Sequence, residues 1–152
     1  GIEISDSKIR LSIGSVVLTS KLIDGTFPDY ERVIPAGNTK LLAVDSKLFA
    51  GAVDRVATIS TEKSRAVKLA LESGVLTLSA TAADAGSASE EIEVDYDGTP
   101  LEIGFNSRYL LDITGQIESG KAEFLMADGN SPTIVRDAAD LAALYVLMPM
   151  RV

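Results

Sequence analysis

The chain has 152 residues, of which 46% are hydrophobic, so one domain with a sizeable core and a short additional segment is expected. It contains no cysteine and no histidine, which excludes disulfides, thiolate metal sites and the commonest general base. A formal net charge of −8 argues against simple bulk attraction to nucleic acid. No window approaches the about 20 apolar residues of a membrane span, and the composition is compatible with a reducing cytosol.

Three short segments with alternating hydrophobicity open the chain. They cover residues 2–4, 8–13 and 16–19 and are separated by turn residues. Three short strands do not form a stable domain alone. Residues 1–24 are therefore expected to be the end of a preceding domain or an edge added to the next one. The chain begins within a strand pattern and without a signal peptide, so we expect a fragment of a longer protein.

Two prolines brace the segment that follows. Pro28 and Pro35 fix φ, remove backbone donors and push the residues before them out of the helical region. Residues 25–38 are therefore predicted to be a stiff, non-helical connector. The last residues, 145–152, again combine apolar side chains with one proline and one arginine, whereas most chain ends are polar.

Two capped helices are predicted in residues 39–152. The first begins after the cap signal Asp45-Ser46, and the second begins after Asn106. Apolar residues recur at helical spacing in both segments. In the first they are Leu48, Phe49, Ala52, Val53 and Val56, and in the second they are Tyr109, Leu110, Ile113 and Ile117.

Short strands surround these helices. They are predicted at residues 40–44, 67–71, 75–80, 91–96, 101–105, 121–126, 133–135 and 143–147. The stretch 80–89 is rich in Ala, Ser and Gly and is predicted to be a mobile loop.

The helical segments belong to an internal repeat. Residues 43–49 align without gaps with residues 104–110, a period of about 61 residues. Each unit has a βαβββ pattern, which predicts an α+β fold with two antiparallel sheets and two helices side by side on one face. Lys47 and Arg108 occupy the same position in the two helices. This indicates either a mildly basic surface or two ordinary solvated faces.

Two motifs resemble those of a known family. They are SKLIDGTFPDYERVIP at residues 20–35 and MPMRV at residues 148–152, and LEIGFN at residues 101–106 supports them. All three resemble the bacterial sliding clamp, the β subunit of the DNA polymerase III holoenzyme, and the likeness covers essentially the whole chain. The parts implied are the last strands of the middle clamp domain (1–24), the interdomain connector (25–38) and the complete third clamp domain (39–152).

The resemblance implies a non-catalytic processivity factor of the bacterial cytoplasm that uses no cofactor. Family members form a ring of two three-domain subunits around duplex DNA. Short linear motifs, rich in Gln and Leu and ending in an aromatic residue, attach DNA polymerase subunits and the clamp loader. Because the first domain and most of the second are missing here, the chain is expected to fold without closing a ring by itself.

The resemblance also implies roles for particular residues. Those implied to bind peptides are Pro28, Arg32, Val33, Asn106, Tyr109, Asn130, Pro132, Val146, Leu147, Met148, Pro149, Met150 and Arg151. Those implied to face DNA are Lys47, Arg55 and Arg108. Those implied at the interface with a second clamp subunit are Thr58, Ile59, Glu90 and Glu91.

The residue types suit a peptide groove. Methionines adapt to several partners, prolines lower the ordering cost of binding, and arginines reach peptide carbonyls. From the residues alone, core strand positions for Met148 and Met150 are favoured, with the prolines only shaping a turn.

Two other functions are compatible with parts of the sequence. For an enzyme, carboxylates such as Glu90 and Glu91 are adjacent, but neighbours on a strand alternate faces. The sequence has no nucleophile elbow, phosphate loop or metal signature. A structural β-rich adhesion or interaction domain fits the Ala, Ser, Thr and Gly content, but it explains neither the capped helices nor the Met-Pro-Met segment.

Overall fold

The computed structural model describes residues 1–60, 65–83 and 85–152. Within these residues the chain divides into two compact units, Gly1–Tyr30 and Glu31–Val152. The finer division at residues 24 and 38 stays a prediction.

The first unit is a small antiparallel sheet. Its strands are β1 (Ile2–Ile4), β2 (Lys8–Ile13) and β3 (Val16–Lys21), in the order β1-β2-β3, which confirms the three predicted strands. No side chain of these strands is buried, and Ile4 is 71% exposed. The sheet therefore has no core of its own among the described residues.

The connector contains one turn of helix. Residues Tyr30–Arg32 form a 3-10 helix, so the prediction of a non-helical connector is wrong at this point. The proline effect explains the difference. Pro28 restricts Phe27, which precedes it, whereas residues 30–32 retain their N–H groups and tolerate a short 3-10 turn.

The second unit confirms two βαβββ halves and an α+β fold. Its elements are β4 (Lys40–Asp45), α1 (Ser46–Ala57), β5 (Ala66–Glu72), β6 (Val75–Ala82), β7 (Gly86–Glu93), β8 (Leu101–Asn106), α2 (Ser107–Thr114), β9 (Lys121–Met126), β10 (Thr133–Asp137) and β11 (Tyr145–Leu147). In the described residues they form two antiparallel four-stranded sheets, ordered β11-β10-β9-β4 and β7-β6-β5-β8. The two helices pack against each other.

The halves exchange their first strands. β4 from the first half pairs with β9 of the second, and Lys40 lies opposite Met126. β8 from the second half pairs with β5 of the first, and Leu71 lies opposite Leu101. Each sheet is therefore complete only when both halves are present. The repeat predicted the two halves but not this exchange.

Polar caps start both helices as predicted. Asp45 Oδ1 accepts the Leu48 N–H at 2.8 Å, and Asn106 Oδ1 accepts the Arg108 N–H at 3.0 Å. Leu48 and Tyr109, which share one repeat position, were predicted on the apolar faces but are 46% and 55% exposed. Both lie at the margin of the apolar stripe, one residue before the buried Phe49 and Leu110.

A single core joins the halves. Buried side chains from both sheets and both helices form one cluster. At its centre Phe49 of α1 meets Phe124 of β9, with ring centroids 5.2 Å apart and ring planes at 52°.

The predicted mobile loop at residues 80–89 is wrong, since β6 and β7 extend through it as a hairpin. Ala80 lies opposite Ala88, and Ala82 lies opposite Gly86. The small side chains that suggested a loop alternate, and the buried members, such as Ala80 and Ala82, fill tight positions on the core face. Residue 84 lies outside the described residues.

Several strand boundaries also differ from prediction, and two examples change which residues pair. β7 ends at Glu93, and Asp95 then forms an isolated bridge with Ala43. β11 begins at Tyr145 rather than at residue 143.

Candidate functional site

A groove of about 530 Å³ opens between α2 and β11. Its lining is mostly apolar and lies entirely in the second unit. The lining residues are Tyr109, Asp112, Ile113, Leu144, Tyr145, Val146, Leu147 and Met148. Met148 is 60% exposed at one wall. Exposed apolar side chains gathered in a concave surface are typical of binding sites.

Helix α2 supplies one wall. Asn106 caps this helix, which contains both Tyr109 and Ile113. The two residues are four apart and therefore share one helix face. Leu110 and Thr114, on the next face, are buried in the core. Thr114 Oγ1 donates to the Leu110 carbonyl at 2.9 Å, which satisfies the buried hydroxyl.

Strand β11 supplies the opposite wall. Leu147 lies opposite Thr133 of β10 and is buried, whereas Val146 and Tyr145 are half-buried and reach the groove. Alternation along the strand thus places Tyr145 and Leu147 on one face and Val146 on the other, and all three contribute to the lining.

Asp137 links two loops of the second half. Its Oδ2 accepts the N–H groups of Glu118 at 2.8 Å and Ser119 at 2.9 Å, and its Oδ1 accepts that of Ala139 at 2.9 Å. Hydrogen bonds from Ser119 and then Ala139 hold the pKa of the Asp137 carboxyl well below its usual range. The carboxylate therefore ties the loop after α2 to the end of β10.

The segment after β11 lies on β8. Met150 donates its N–H to the Gly104 carbonyl at 2.8 Å, and the two residues form an isolated antiparallel bridge. Pro149 and Met150 are half-buried, and Arg151 is exposed.

The groove unites some of the predicted peptide-binding residues. Tyr109, Val146, Leu147 and Met148 line it, and Asn106 caps the helix that forms one wall. The other predicted residues of the second unit lie outside its lining; these are Arg32, Val33, Asn130, Pro132, Pro149, Met150 and Arg151. Pro28 belongs to the first unit, and its role stays a prediction.

Sequence reasoning missed four lining residues, namely Asp112, Ile113, Leu144 and Tyr145. Helical spacing from Tyr109 identifies Ile113 as a neighbour on the same face. Leu144 and Tyr145 are the two residues before Val146, which was predicted to bind peptides. No sequence signal singled out Asp112, which lies 4.0 Å from Arg108.

The predicted DNA-facing cations are exposed on the helices. Two of them contact carboxylates. Arg108 approaches Asp112 within 4.0 Å, and Arg55 forms a two-pronged pair with Glu90. In the described part of the chain, Lys47 has no ion-pair partner.

The predicted subunit-interface residues cluster near one end of α1 and on β7. Thr58 caps α1 and is exposed, and Ile59 is partly buried against the core. Glu90 pairs with Arg55 of the same chain, which holds the pKa of the Glu90 carboxyl below its usual value. Glu91 is exposed on β7.

The described residues contain no group of three or more acidic, His or Cys side chains able to hold a metal ion. Both helices in this part of the chain fall short of the length and hydropathy that a membrane-spanning helix needs.

Comparison with known proteins gives consistent matches. Residues 31–151 match the family model for the C-terminal domain of the DNA polymerase III beta subunit. The beta sliding clamp of Caulobacter vibrioides is 60% identical over 151 residues, and that of Escherichia coli is 37% identical over 150 residues. Each alignment covers 99% of this chain but 41% of the relative, so the chain spans about two fifths of the relatives' length.

Solved structures agree with these matches. The DnaN sliding clamp of Bartonella birtlesii bound to griselimycin has a TM-score of 0.94 and 55% identity, covering 99% of this chain and 41% of its own. The DNA polymerase III subunit beta of Pseudomonas aeruginosa has a TM-score of 0.93 and 42% identity, covering 99% and 42%. An adhesion domain is not supported. The chain therefore belongs to the family of DNA polymerase III beta subunits, the beta sliding clamps, and matches its C-terminal domain.

Proposed function

We propose that this chain acts as the C-terminal part of a DNA sliding clamp, a non-catalytic processivity factor that encircles duplex DNA and tethers polymerases. Family membership supports the role, and the apolar groove between α2 and β11 is the observation that carries the tethering function. Tethering requires surfaces that bind partners and does not require catalysis. We assign the protein to the bacterial cytoplasm.

The groove suits a short linear motif with apolar anchors. Tyr109, Val146 and Met148 offer an aromatic ring, a branched side chain and a flexible thioether to a Leu or aromatic residue of the partner. A few such anchors carry most of the affinity of a peptide interface. We assign DNA polymerase subunits and the clamp loader as partners of this groove.

We propose the same peptide-binding role for the remaining predicted residues. Pro28, Arg32 and Val33 would act from the connector, and Asn130 and Pro132 from the turn between β9 and β10. Arg151, which is exposed, would reach peptide carbonyls or acidic side chains.

DNA contact is proposed to be weak and independent of sequence. Lys47, Arg55 and Arg108 would face the duplex from the helices. Ion pairs with Glu90 and Asp112 reduce the charge that Arg55 and Arg108 offer to phosphates. With a net charge of −8, such a protein stays on DNA by enclosing it and can slide.

Ring closure is proposed to use a second clamp subunit. Thr58, Ile59, Glu90 and Glu91 would meet it at one end of the domain. β7, which carries both glutamates, lies at the edge of its sheet, a position open to pairing with another chain.

Fluorescence anisotropy with a labelled Gln- and Leu-rich peptide ending in an aromatic residue tests the tethering function. We expect saturable binding that Tyr109→Ala and Met148→Ala each weaken by about tenfold, the loss of one apolar anchor. Griselimycin, which is bound in the solved Bartonella birtlesii clamp, serves as a competitor.

Leu48→Ala is the matched control. Leu48 occupies the repeat position of Tyr109 and is similarly exposed, but it lies outside the groove. It should leave the affinity unchanged. Equal losses in Leu48→Ala and Tyr109→Ala, or no binding by the wild-type chain, would contradict the proposed function of the groove.

A further inference from the structure

The segment 148–152, here called the tail, leaves the groove and runs antiparallel beside β8 at Gly104. Its backbone is fixed there by the hydrogen bond from Met150 N–H to Gly104 O, 2.8 Å long. Beyond this bridge Val152 lies beside Ala66, Lys68 and Glu102 at a second cavity of about 300 Å³. The tail thus connects the groove with the adjoining sheet.

Gly104 permits this close approach. A Cβ at residue 104 would overlap Val152 Cγ1 and lie 2.7 Å from the Met150 carbonyl oxygen. The repeat supplies a comparison, because Ala43 at the equivalent position also forms an isolated bridge, with Asp95. A bridge of this kind therefore tolerates a side chain. At residue 104 a glycine is needed because Val152 and the Met150 carbonyl pack against its Cα.

Met148 is held between two backbone anchors. On one side Leu147 lies opposite Thr133 in the β10–β11 ladder, and on the other Met150 is bonded to Gly104. Pro149, between them, has a fixed φ. The position of the Met148 side chain at the groove wall therefore depends on the second anchor as well as on β11.

We propose that Gly104 is a positioning residue for the groove: by letting the tail dock on β8, it preorganises Met148 for peptide binding. Gly104 lies outside the groove lining and acts through the tail. The inference rests on the proposed peptide-binding function. It assigns control of the peptide affinity to the contact between the tail and β8, so that release of the tail lowers this affinity.

Methyl NMR tests the positioning step directly. The chain has three methionines, Met126, Met148 and Met150. Met126 is fully buried in the core and serves as an internal reference. In Gly104→Ala, the ¹³C-labelled methyl signals of Met148 and Met150 should shift and sharpen as the tail is released, and that of Met126 should stay in place.

Peptide affinity gives the functional outcome. Gly104→Ala should weaken binding of the labelled peptide by about fivefold to tenfold, because one or two flexible side chains must then be ordered on binding. Gly37→Ala adds the same methyl where nothing lies within 4 Å, and it should bind as the wild type does.

A deletion cycle separates positioning from general damage to β8. Removing residues 149–152 should lower the affinity at least as much, because it also removes proposed peptide contacts, and Gly104→Ala should then have no further effect. If Gly104→Ala fails to fold, Val152→Ala, at an exposed residue, should produce the same changes more weakly.

The outcomes are separable. Wild-type affinity in Gly104→Ala, or an undiminished loss in the deleted chain, overturns the inference. If the wild-type chain does not bind the peptide, the proposed function fails, and the methyl spectra still decide the positioning step. An unshifted Met148 signal in Gly104→Ala overturns it, and a shifted one supports it.

Discussion

The two halves of the domain share one βαβββ pattern, yet the space between the helix and the last strand is filled in the first half and open in the second. In the first half Arg55 crosses from α1 to Glu90 on β7, with Nε–Oε2 and Nη2–Oε1 distances of 2.9 and 2.5 Å. Gly51 lies next to the guanidinium and leaves room for it. In the second half the equivalent positions are Gln116 and Tyr145, and the groove between α2 and β11 is open.

Helix length adds to the difference. α1 has 12 residues and α2 has 8, so Gln116 lies beyond the end of its helix. The two copies of one pattern thus differ in that a groove opens beside the shorter helix of the second copy. Function follows from the local residues, not from the shared architecture.

Loss of the shared core should have the largest effect. Phe49→Ala removes the ring that joins α1 to Phe124 and should lower the free energy of unfolding by about 3–5 kcal/mol. Because the halves exchange strands, urea denaturation followed by circular dichroism and by tyrosine fluorescence should show one coincident transition. Two separate transitions would mean that the halves are independent. Leu48→Ala, on the exposed side of the same helix, is the control.

Acid should loosen the second half first. The folded-state pKa of Asp137 lies below its ordinary value of 3.8, so its stabilisation is complete above about pH 4 and is lost as pH falls toward the folded pKa. The Tm of the wild type should exceed that of Asp137→Asn at pH 7, and the gap should narrow below pH 4. Hydrogen exchange should show Glu118 and Ser119 losing protection before α1. A constant gap in Tm would contradict this role.

A buried hydroxyl marks a further difference between the halves. Thr133 is fully buried, and its Oγ1 has no hydrogen-bond partner in the described structure. It lies opposite Leu147, as Leu76 lies opposite Ile92 in the first half. Thr133→Val should raise the free energy of unfolding by about 1 kcal/mol, because an unpaired polar group is removed at constant shape. Thermal denaturation measures the gain; Thr133→Ala, which loses volume, should not show it.

Removal of the ion pair in the first half should have the smallest effect. Arg55 and Glu90 are solvent-accessible, and such pairs contribute little to stability. The Arg55→Ala/Glu90→Ala double variant should keep the wild-type Tm. Calorimetric titration should still find one peptide site per chain, with unchanged affinity. A second site would show that this ion pair, rather than helix length, keeps the first half from binding a peptide.

Local sequence rules predicted much of the fold. The caps at Asp45 and Asn106, the helical spacing after them and the internal repeat led directly to two helices and two sheets. The exchange of β4 and β8 was not predicted, since partner choice between strands depends on packing in the folded domain. The β6–β7 hairpin was missed because alanines at 80 and 82 carry a weak strand signal but fit a crowded core face.

The groove was predicted in part, and through resemblance rather than spacing. Periodicity alone placed Tyr109 on an apolar face, without showing that it faces a groove. Leu144 and Ile113 come together from distant parts of the chain, which no local pattern reveals. The tail contact at Gly104 was also invisible, because a glycine in a strand is compatible with several causes.

The strand exchange has a consequence for synthesis of the chain. Lys40 of β4 pairs with Met126 of β9, 86 residues later. At about 5–20 residues per second, a ribosome needs roughly 4–17 s to deliver the partner strand. Until then β4 lacks β9, its ladder partner in the described structure. Strands with unpaired backbone groups invite aggregation. Folding of this domain is therefore expected to wait for its second half, which makes chaperone protection most valuable during translation.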